Sequence, residues 1–301
     1  MDLPIFPAQS PSPADAPPAP AVSLLLCTIG RTEPLVRMLG SLTKQNVTDF
    51  EVVVVDQNPP GVLEPVLAPF AAALRIVHCH AARGLSRARN VGLAQCRGAI
   101  LAFPDDDCWY PQDLVASIVE MFRASPGIGV HSGRTLDAEG RESLGVFLAN
   151  DASITKRNVW FVGNSNSLFV SADAARKIGG FDESLGVGAP TKFKSGEETD
   201  FILRLLEAGA SGLYHHALFV HHDQVLNDDA GSWRRAAAYG PGFGRVLRLH
   251  RYGLHYLAYR IARSLARATI AVSQGDLGTA KYKLVWIWGT VCGYFTRLPR
   301  A

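Results

Sequence analysis

The chain has 301 residues, of which 48% are hydrophobic and 19% charged, with a formal net charge of +3. That composition excludes a mostly disordered chain and suits one large domain with an appendage. A net charge this small excludes an argument for nucleic acid as partner.

The first twenty residues are rich in Pro, Ala and Ser, with no basic and then apolar leader; a flexible tail is expected there, not a signal peptide. Val22 to Cys27 and Glu51 to Val55 are short runs, apolar but for Ser23 and Glu51, closed by turn residues, and read as strands buried on both faces. Between them, Leu35, Met38, Leu39 and Leu42 recur at helical spacing, with Pro34 near the start of the segment Thr32 to Gln45. The alternation continues with a strand at Leu74 to His78, a helix at Ser86 to Cys96 with Ser86 as N-cap, a strand at Ala99 to Phe103 and a helix at Leu114 to Arg123. Strand–helix alternation predicts a three-layer α/β domain with ligands beyond the carboxyl ends of its strands.

The second half predicts strands near Gly129 to Arg134, Gly145 to Leu148, Ser167 to Val170 and Gly212 to Val220, and a helix at Glu198 to Ala208. Beyond Ser232 the pattern is helical, with a break expected at the Gly-rich Tyr239 to Gly244. The five cysteines, Cys27, Cys79, Cys96, Cys108 and Cys292, are odd in number and lack CxxC spacing, which speaks against a disulfide framework or zinc site and for a reducing compartment. No apolar run reaches the roughly 20 residues of a transmembrane helix.

Several polar groups fall at the strand ends. Asp105, Asp106 and Asp107 follow a buried strand with no adjacent base. Three such charges repel, and a divalent cation held by carboxylates offsets that; a solvated acidic turn is the other reading. Asp56 ends the second strand and either caps a turn with Asn58 or accepts hydrogen bonds from a base or ribose. Glu197, Glu198 and Asp200 open a helix, where acids either serve the dipole or supply a general base. The pairs His215, His216 and His221, His222 flank an apolar strand, and His222 is either a metal ligand or a hydrogen-bonded surface His. Arg83, Arg87 and Arg89 crowd a helix start against the dipole preference, which points to anion contact or to a solvated basic face.

Five stretches together resemble family 2 glycosyltransferases: CTIGRTEPLVRMLGSLTKQ, EVVVVDQN, RGLSRARNVGLAQCRGAILAFPDDDCWYP, GGFDE and SGEETDFILRLLEAG, in the family's order over roughly residues 22 to 222. The resemblance implies a GT-A fold, a three-layer α/β/α sandwich around a mostly parallel sheet. It implies a nucleoside-diphosphate-sugar donor, Mg²⁺ or Mn²⁺ as cofactor, and inverting, single-addition transfer. Thr28, Arg31, Asp56, Gly84, Arg89, Asp105 and Asp106 then belong to the donor side, and Asp107 with His222 to the metal. Glu198 stands where the family usually has an Asp, and is the expected general base, one methylene longer. Asn164 and Asn166, before a strand of the second half, either bond an acceptor sugar or form an ordinary polar turn; they, Glu197 and Asp200 are expected near a glycan or lipid-linked acceptor. The nucleotide-sugar half is expected over 21–125, the acceptor half over 126–232 and a helical segment over 233–301.

From Arg234 to Arg300 the only acid is Asp276, and Arg260, Arg263 and Arg267 fall on one helical face, with Trp286 and Trp288 further on. Interfacial helices have this make-up. The expected location is therefore cytoplasmic, at the inner membrane face, through a peripheral contact; helices packed on the catalytic domain or in a dimer are the alternative. Two rivals remain for the whole chain. One is an inactive protein of the same fold that binds a nucleotide sugar or glycan. The other is a nucleotidyltransferase, against which the first loop, with one Gly and one basic residue, argues.

Overall fold

The structure, a computed structural model, describes residues 18–224 and 229–296, without the side chains of 229–232. The expected N-terminal tail therefore lies outside the described residues as far as position 17.

The N-terminal half is a run of parallel strands. β1 (Val22–Thr28), β2 (Phe50–Asp56), β3 (Ile76–His80) and β4 (Ile100–Ala102) are joined by α1 (Glu33–Leu42), α2 (Glu64–Leu67) and α3 (Leu85–Leu93). β5 (Cys108–Trp109) and α4 (Leu114–Ala124) follow. Strands β1 and β2 are buried on nearly every residue because helices cover both sheet faces. Leu35, Met38, Leu39 and Leu42 of α1 are buried on one face, as their spacing requires.

The second half comprises β6 (Ile128–Leu136), β7 (Ala152–Ser153), β8 (Leu168–Ser171), α5 (Ala172–Lys177), α6 (Glu197–Glu207) and β9 (Ser211–His222). The strand order is β3-β2-β1-β4-β8-β6-β9-β5, with β7 on β9. β8 runs antiparallel to β4 and β6, so the parallel half continues into a mixed half within one sheet. The carboxyl ends of β1, β2 and β4 thus share one edge, where the loops carrying Thr28, Asp56 and Asp105 converge. A bridge from Cys27 to Asp105 draws the acidic loop against β1.

Three local expectations are corrected. Gly145–Leu148 forms no strand, because the Leu148 carbonyl is taken by the Tyr214 hydroxyl at 2.9 Å and meets the His216 imidazole at 2.9 Å. Ser86 is not the cap of α3: Gly84 is, with φ +136°, and the Ser86 hydroxyl donates to the Leu185 carbonyl at 2.7 Å. The Gly-rich segment does not break the last helices either.

α7 (Asp229–Leu249) runs unbroken through Pro241 and is followed by α8 (Leu254–Ser273) and α9 (Leu277–Phe295). The glycines serve contact between helices. A Cβ on Gly244 would lie 2.0 Å from the Thr290 carbonyl oxygen of α9, and one on Gly293 2.0 Å from that of Pro241. Bare backbone on both helices lets them approach this closely. Phe243, Val246, Leu247, Tyr252, Leu257 and Tyr294 join the same core as Val170, Phe181, Phe193 and Phe201, so the C-terminal helices complete the core beneath the second half. Gly293→Ala is expected to lower unfolding free energy by about 1–3 kcal/mol, the scale of overpacking. Urea denaturation checks it, and an unchanged midpoint would contradict the close approach.

Candidate functional site

Two loops and two helix starts meet at the sheet edge. The acidic loop after β4 is positioned from below by Asn166, whose buried amide oxygen accepts the Asp105 N–H at 2.8 Å. From one side it is tied to β1: the Thr28 hydroxyl donates to Asp106 at 2.6 Å, and Arg31 bonds Asp106 at 3.0 Å and also Asp107. Arg37, on α1, donates to the Asp107 carbonyl at 3.0 Å and lies over the Trp109 ring. Asp106 thus faces inward as a latch between loops, while Asp105 and Asp107, on the same tight turn, keep solvent access.

Asp107 also faces His222, the last residue of β9, with Oδ1 and Nε2 3.2 Å apart. The His222 Nδ1 lies 2.6 Å from the Asp223 carbonyl, which it meets as donor and so leaves Nε2 turned to the carboxylate. Burial works to raise the Asp107 pKa, but the His222 hydrogen bond and the His222 and Arg31 charges together hold it below the usual value. One carboxylate and one imidazole suit a divalent cation that takes further oxygens from phosphates. Asp107 and His222 therefore fit Mg²⁺ or Mn²⁺ as its protein ligands.

On the other side stands Arg89, 2% exposed, carried by α3. Its Nη2 lies 3.5 Å from Asp105 and its Nη1 3.7 Å from Glu197, and the guanidinium packs over the Phe181 ring. The Arg cluster seen in the sequence is thus resolved in one member by buried acids, while Arg87 pairs with Glu183 at the surface. Burial pushes Asp105 up to about 6 even against the pull of Arg89. Glu197 is raised by burial as well, Arg89 opposing.

Glu198 follows Glu197 at the start of α6 and is only half-buried. Its pKa is pushed up to about 7, first by burial and then by the Glu197 charge, with Arg89 and a Ser165 hydrogen bond opposing. A half-buried carboxyl that titrates near neutrality is a poised proton acceptor. Its neighbour Tyr239, from α7, has its phenol raised by burial and by the charge of Glu197, with Glu198 and Asp105 contributing. The sequence pattern placed that residue in a separate helical segment; only tertiary packing brings it here.

Other expected contacts are placed differently. Asp200 is buried, bonded by Arg204 Nε at 2.7 Å and facing His250 Nε2 at 2.9 Å. Glu197 and Asn166 are also buried. These three side chains hold the acidic loop and α6 from within. Asn164 is half-buried and pairs its amide with the Thr135 hydroxyl at 2.9 Å. Gly84 gives its N–H to Gln57 at 2.8 Å, fixing the start of α3 to the loop after β2. His215 pairs with buried His131 at 2.9 Å, and His221 stacks on Trp109, so neither faces the acids.

Asp56 is 0% exposed. Its Oδ1 accepts the Asn58 N–H at 2.7 Å and the Asn58 amide at 2.8 Å, and Oδ2 faces His78 Nε2 at 3.2 Å and His80 Nδ1 at 3.8 Å. Among the described residues, these three are a set whose ligand atoms all lie within 4.8 Å of one another. Nothing in the local sequence pattern marked His78 or His80; the register of β3 on β2 does.

Known proteins resemble this chain in sequence and in fold. The model of glycosyl transferase family 2 matches residues 23–158. The glycosyltransferase AglE of Haloferax volcanii is 28% identical over 223 residues, 67% of this chain and 67% of that protein. The pre-mycofactocin glycosyltransferase of Mycobacterium tuberculosis is 26% identical over 226 residues, 71% of this chain but 45% of that protein, so the match spans under half of the latter. Among solved structures, the mannosyltransferase PcManGT of Pyrobaculum calidifontis, in complex with GDP-Man and Mn²⁺, superposes with TM-score 0.62 at 17% identity, over 92% of this chain and 88% of that one. S. aureus TarS 1-349 in complex with UDP-GlcNAc gives TM-score 0.56 at 14% identity, over 89% and 92%. At such identities the superpositions speak for the GT-A fold.

Proposed function

Because this chain is a glycosyltransferase of family 2, we propose that it moves a sugar, with inversion, from a nucleoside diphosphate to an acceptor hydroxyl, with Glu198 as general base. The observation that carries this is a pair of unlike acids that both act on Asp105: Asp107 held ionised beside His222, and Glu198 raised to about 7 at the head of α6. Structural neighbours that hold GDP-Man or UDP-GlcNAc support a donor of this class.

In this reading the diphosphate meets Asp107 and His222, where Mg²⁺ or Mn²⁺, when bound, supplies positive charge to the leaving group. Asp105 takes the ribose side and is steadied by Arg89. The base lies against Asp56, reached when the exposed His80 turns aside. Arg31, about half-exposed, releases the acids and follows the phosphates. Glu198 accepts the proton of the attacking hydroxyl, which approaches from the face opposite the diphosphate. Incubation with UDP-, GDP- and dTDP-sugars tests it: release of a nucleoside diphosphate from one donor is expected, and pyrophosphate release would point to nucleotidyl transfer.

The acceptor we infer is carried on a lipid. Leu277, Lys281, Leu284, Trp288 and Phe295 form one exposed stripe along α9, with Leu277 68% and Trp288 71% exposed. Arg263 and Arg267 of α8 are exposed, whereas Arg260 packs over Phe243 at 4.6 Å and belongs to the core's rim. No described helix is long and apolar enough to cross a membrane, and an apolar stripe with cations suits the headgroup level. Leu284→Ser with Trp288→Ser should abolish flotation with anionic vesicles while leaving the fold intact; equal flotation of the variant and the parent would contradict the contact.

A further inference from the structure

The cluster around Asp56 has more donor chemistry than a base contact requires. β3 is an edge strand, and its register sets His80 beside Asp56 and His78 beside Val54. Residues two apart on a strand share a face, so both imidazoles look toward the same carboxylate. That carboxylate is fully buried, its Oδ1 occupied by Asn58 and its Oδ2 facing only imidazole nitrogens at 3.2 and 3.8 Å. No lysine or arginine pairs with Asp56 among the ion pairs of the described residues, and a carboxylate shut away from water without a cation is costly. The Glu64 carboxylate, at the head of α2, lies within electrostatic reach of both imidazoles and adds negative charge to the place.

We infer that Asp56, His78 and His80 form a zinc site, distinct from the position at Asp107 and His222, and that its occupation excludes the base of the nucleotide donor. Two imidazoles and one carboxylate are a zinc donor set with a fourth position left to water. Donors about 2.0–2.2 Å from a tetrahedral ion sit about 3.3–3.6 Å apart. The 3.2 and 3.8 Å separations bracket that spacing, and His80, 47% exposed, is free to close the remaining gap. With its proton on the ring nitrogen turned away from Asp56, each imidazole presents a lone pair, His78 through Nε2 and His80 through Nδ1, and a small turn of His80 closes the set. Nitrogen donors favour Zn²⁺ over Mg²⁺ or Mn²⁺, and this set has two of them where the position at Asp107 has one. Once Asp56 is a metal ligand, its oxygen no longer accepts a base N–H; this second half rests on the placement of the base proposed above.

The test is calorimetric titration of Zn²⁺ into the full chain with excess Mg²⁺ and no nucleotide. One Zn²⁺ per chain is expected, retained in Asp107→Asn and weakened at least about tenfold in His80→Ala and in His78→Gln. Co²⁺ in place of Zn²⁺ should show the visible absorption of a tetrahedral ion, lost in the same two variants. Equal affinity in the parent and both histidine variants, or no binding by folded protein, overturns the site. In a second arm, Zn²⁺ should raise the apparent Kd of the nucleoside diphosphate that binds, and His80→Ala should remove that effect. Zn²⁺ bound at the site with nucleotide affinity unchanged overturns the competition and displaces the base from Asp56. Because the first arm uses no nucleotide, it stands or falls apart from the transfer reading.

Discussion

Glu198→Gln is expected to lower the transfer rate by about 10²–10⁴-fold, the range of a general base, while nucleotide affinity stays within about twofold of the parent. The substitution keeps the shape of the side chain and its place at the head of α6 but removes the proton acceptor. The case for Glu198 lies in a contest of effects. The α6 N-terminus stabilises a carboxylate by up to about 2 kcal/mol and so lowers its pKa. Burial and the Glu197 charge outweigh that and hold Glu198 at about 7. The base is therefore partly protonated at neutral pH, and turnover by the parent should climb about tenfold per pH unit below 7 and level off above it. The Gln variant should lack this limb. Steady-state rates across pH check both statements; a variant that keeps the parent's rate and profile would remove Glu198 from the role.

Arg89→Met is expected to cost about 3–5 kcal/mol of stability, the scale for taking one partner from a buried ion cluster. Arg89 is nearly inaccessible and stands between Asp105 and Glu197. Met fills most of its volume, so the loss is electrostatic rather than a cavity. The sign of the pH dependence follows. Without Arg89 the folded-state values of Asp105 and Glu197 rise further above their unfolded values, 3.8 and 4.5. The folded variant then holds protons that the unfolded chain has released, so its stability falls as pH climbs from those values through the raised ones. The deficit against the parent should be smallest near about pH 5 and largest near about pH 8. Urea melts at the two pH values measure it, and a deficit independent of pH would mean that packing over Phe181, not charge, explains Arg89.

What the sequence made legible follows from what periodicity encodes. Buried apolar runs such as Leu24 to Leu26 and Val52 to Val55 announce parallel strands because they are short, rich in Leu and Val, and closed by turn residues. The acids at their ends could be placed at one edge from topology alone. Inward or outward direction could not. Asp106 and Asp107 are neighbours, yet one is locked to Thr28 and the other faces His222. Glu197 and Glu198 divide in the same way, one against Arg89 and one toward the cleft. The misread Gly-rich segment shows a further limit. Glycines at 240, 242 and 244 weaken a helix by themselves, but here their missing side chains admit α9 and the Ser195 loop. Tyr239, in the same segment, reaches Glu197, Glu198 and Asp105 only because of that approach. Residues 78 and 80 gained meaning only when strand register set them beside Asp56.

The central claim is a nucleotide-sugar site organised by Asp107 and His222. It is tested most directly by calorimetric titration of the purified chain with UDP, GDP and dTDP, each with and without Mn²⁺. The account predicts saturable binding of one of them that weakens at least about tenfold when Mn²⁺ is withheld, because few cations then face the diphosphate. Folded protein that binds none of the three, with or without Mn²⁺, would contradict it.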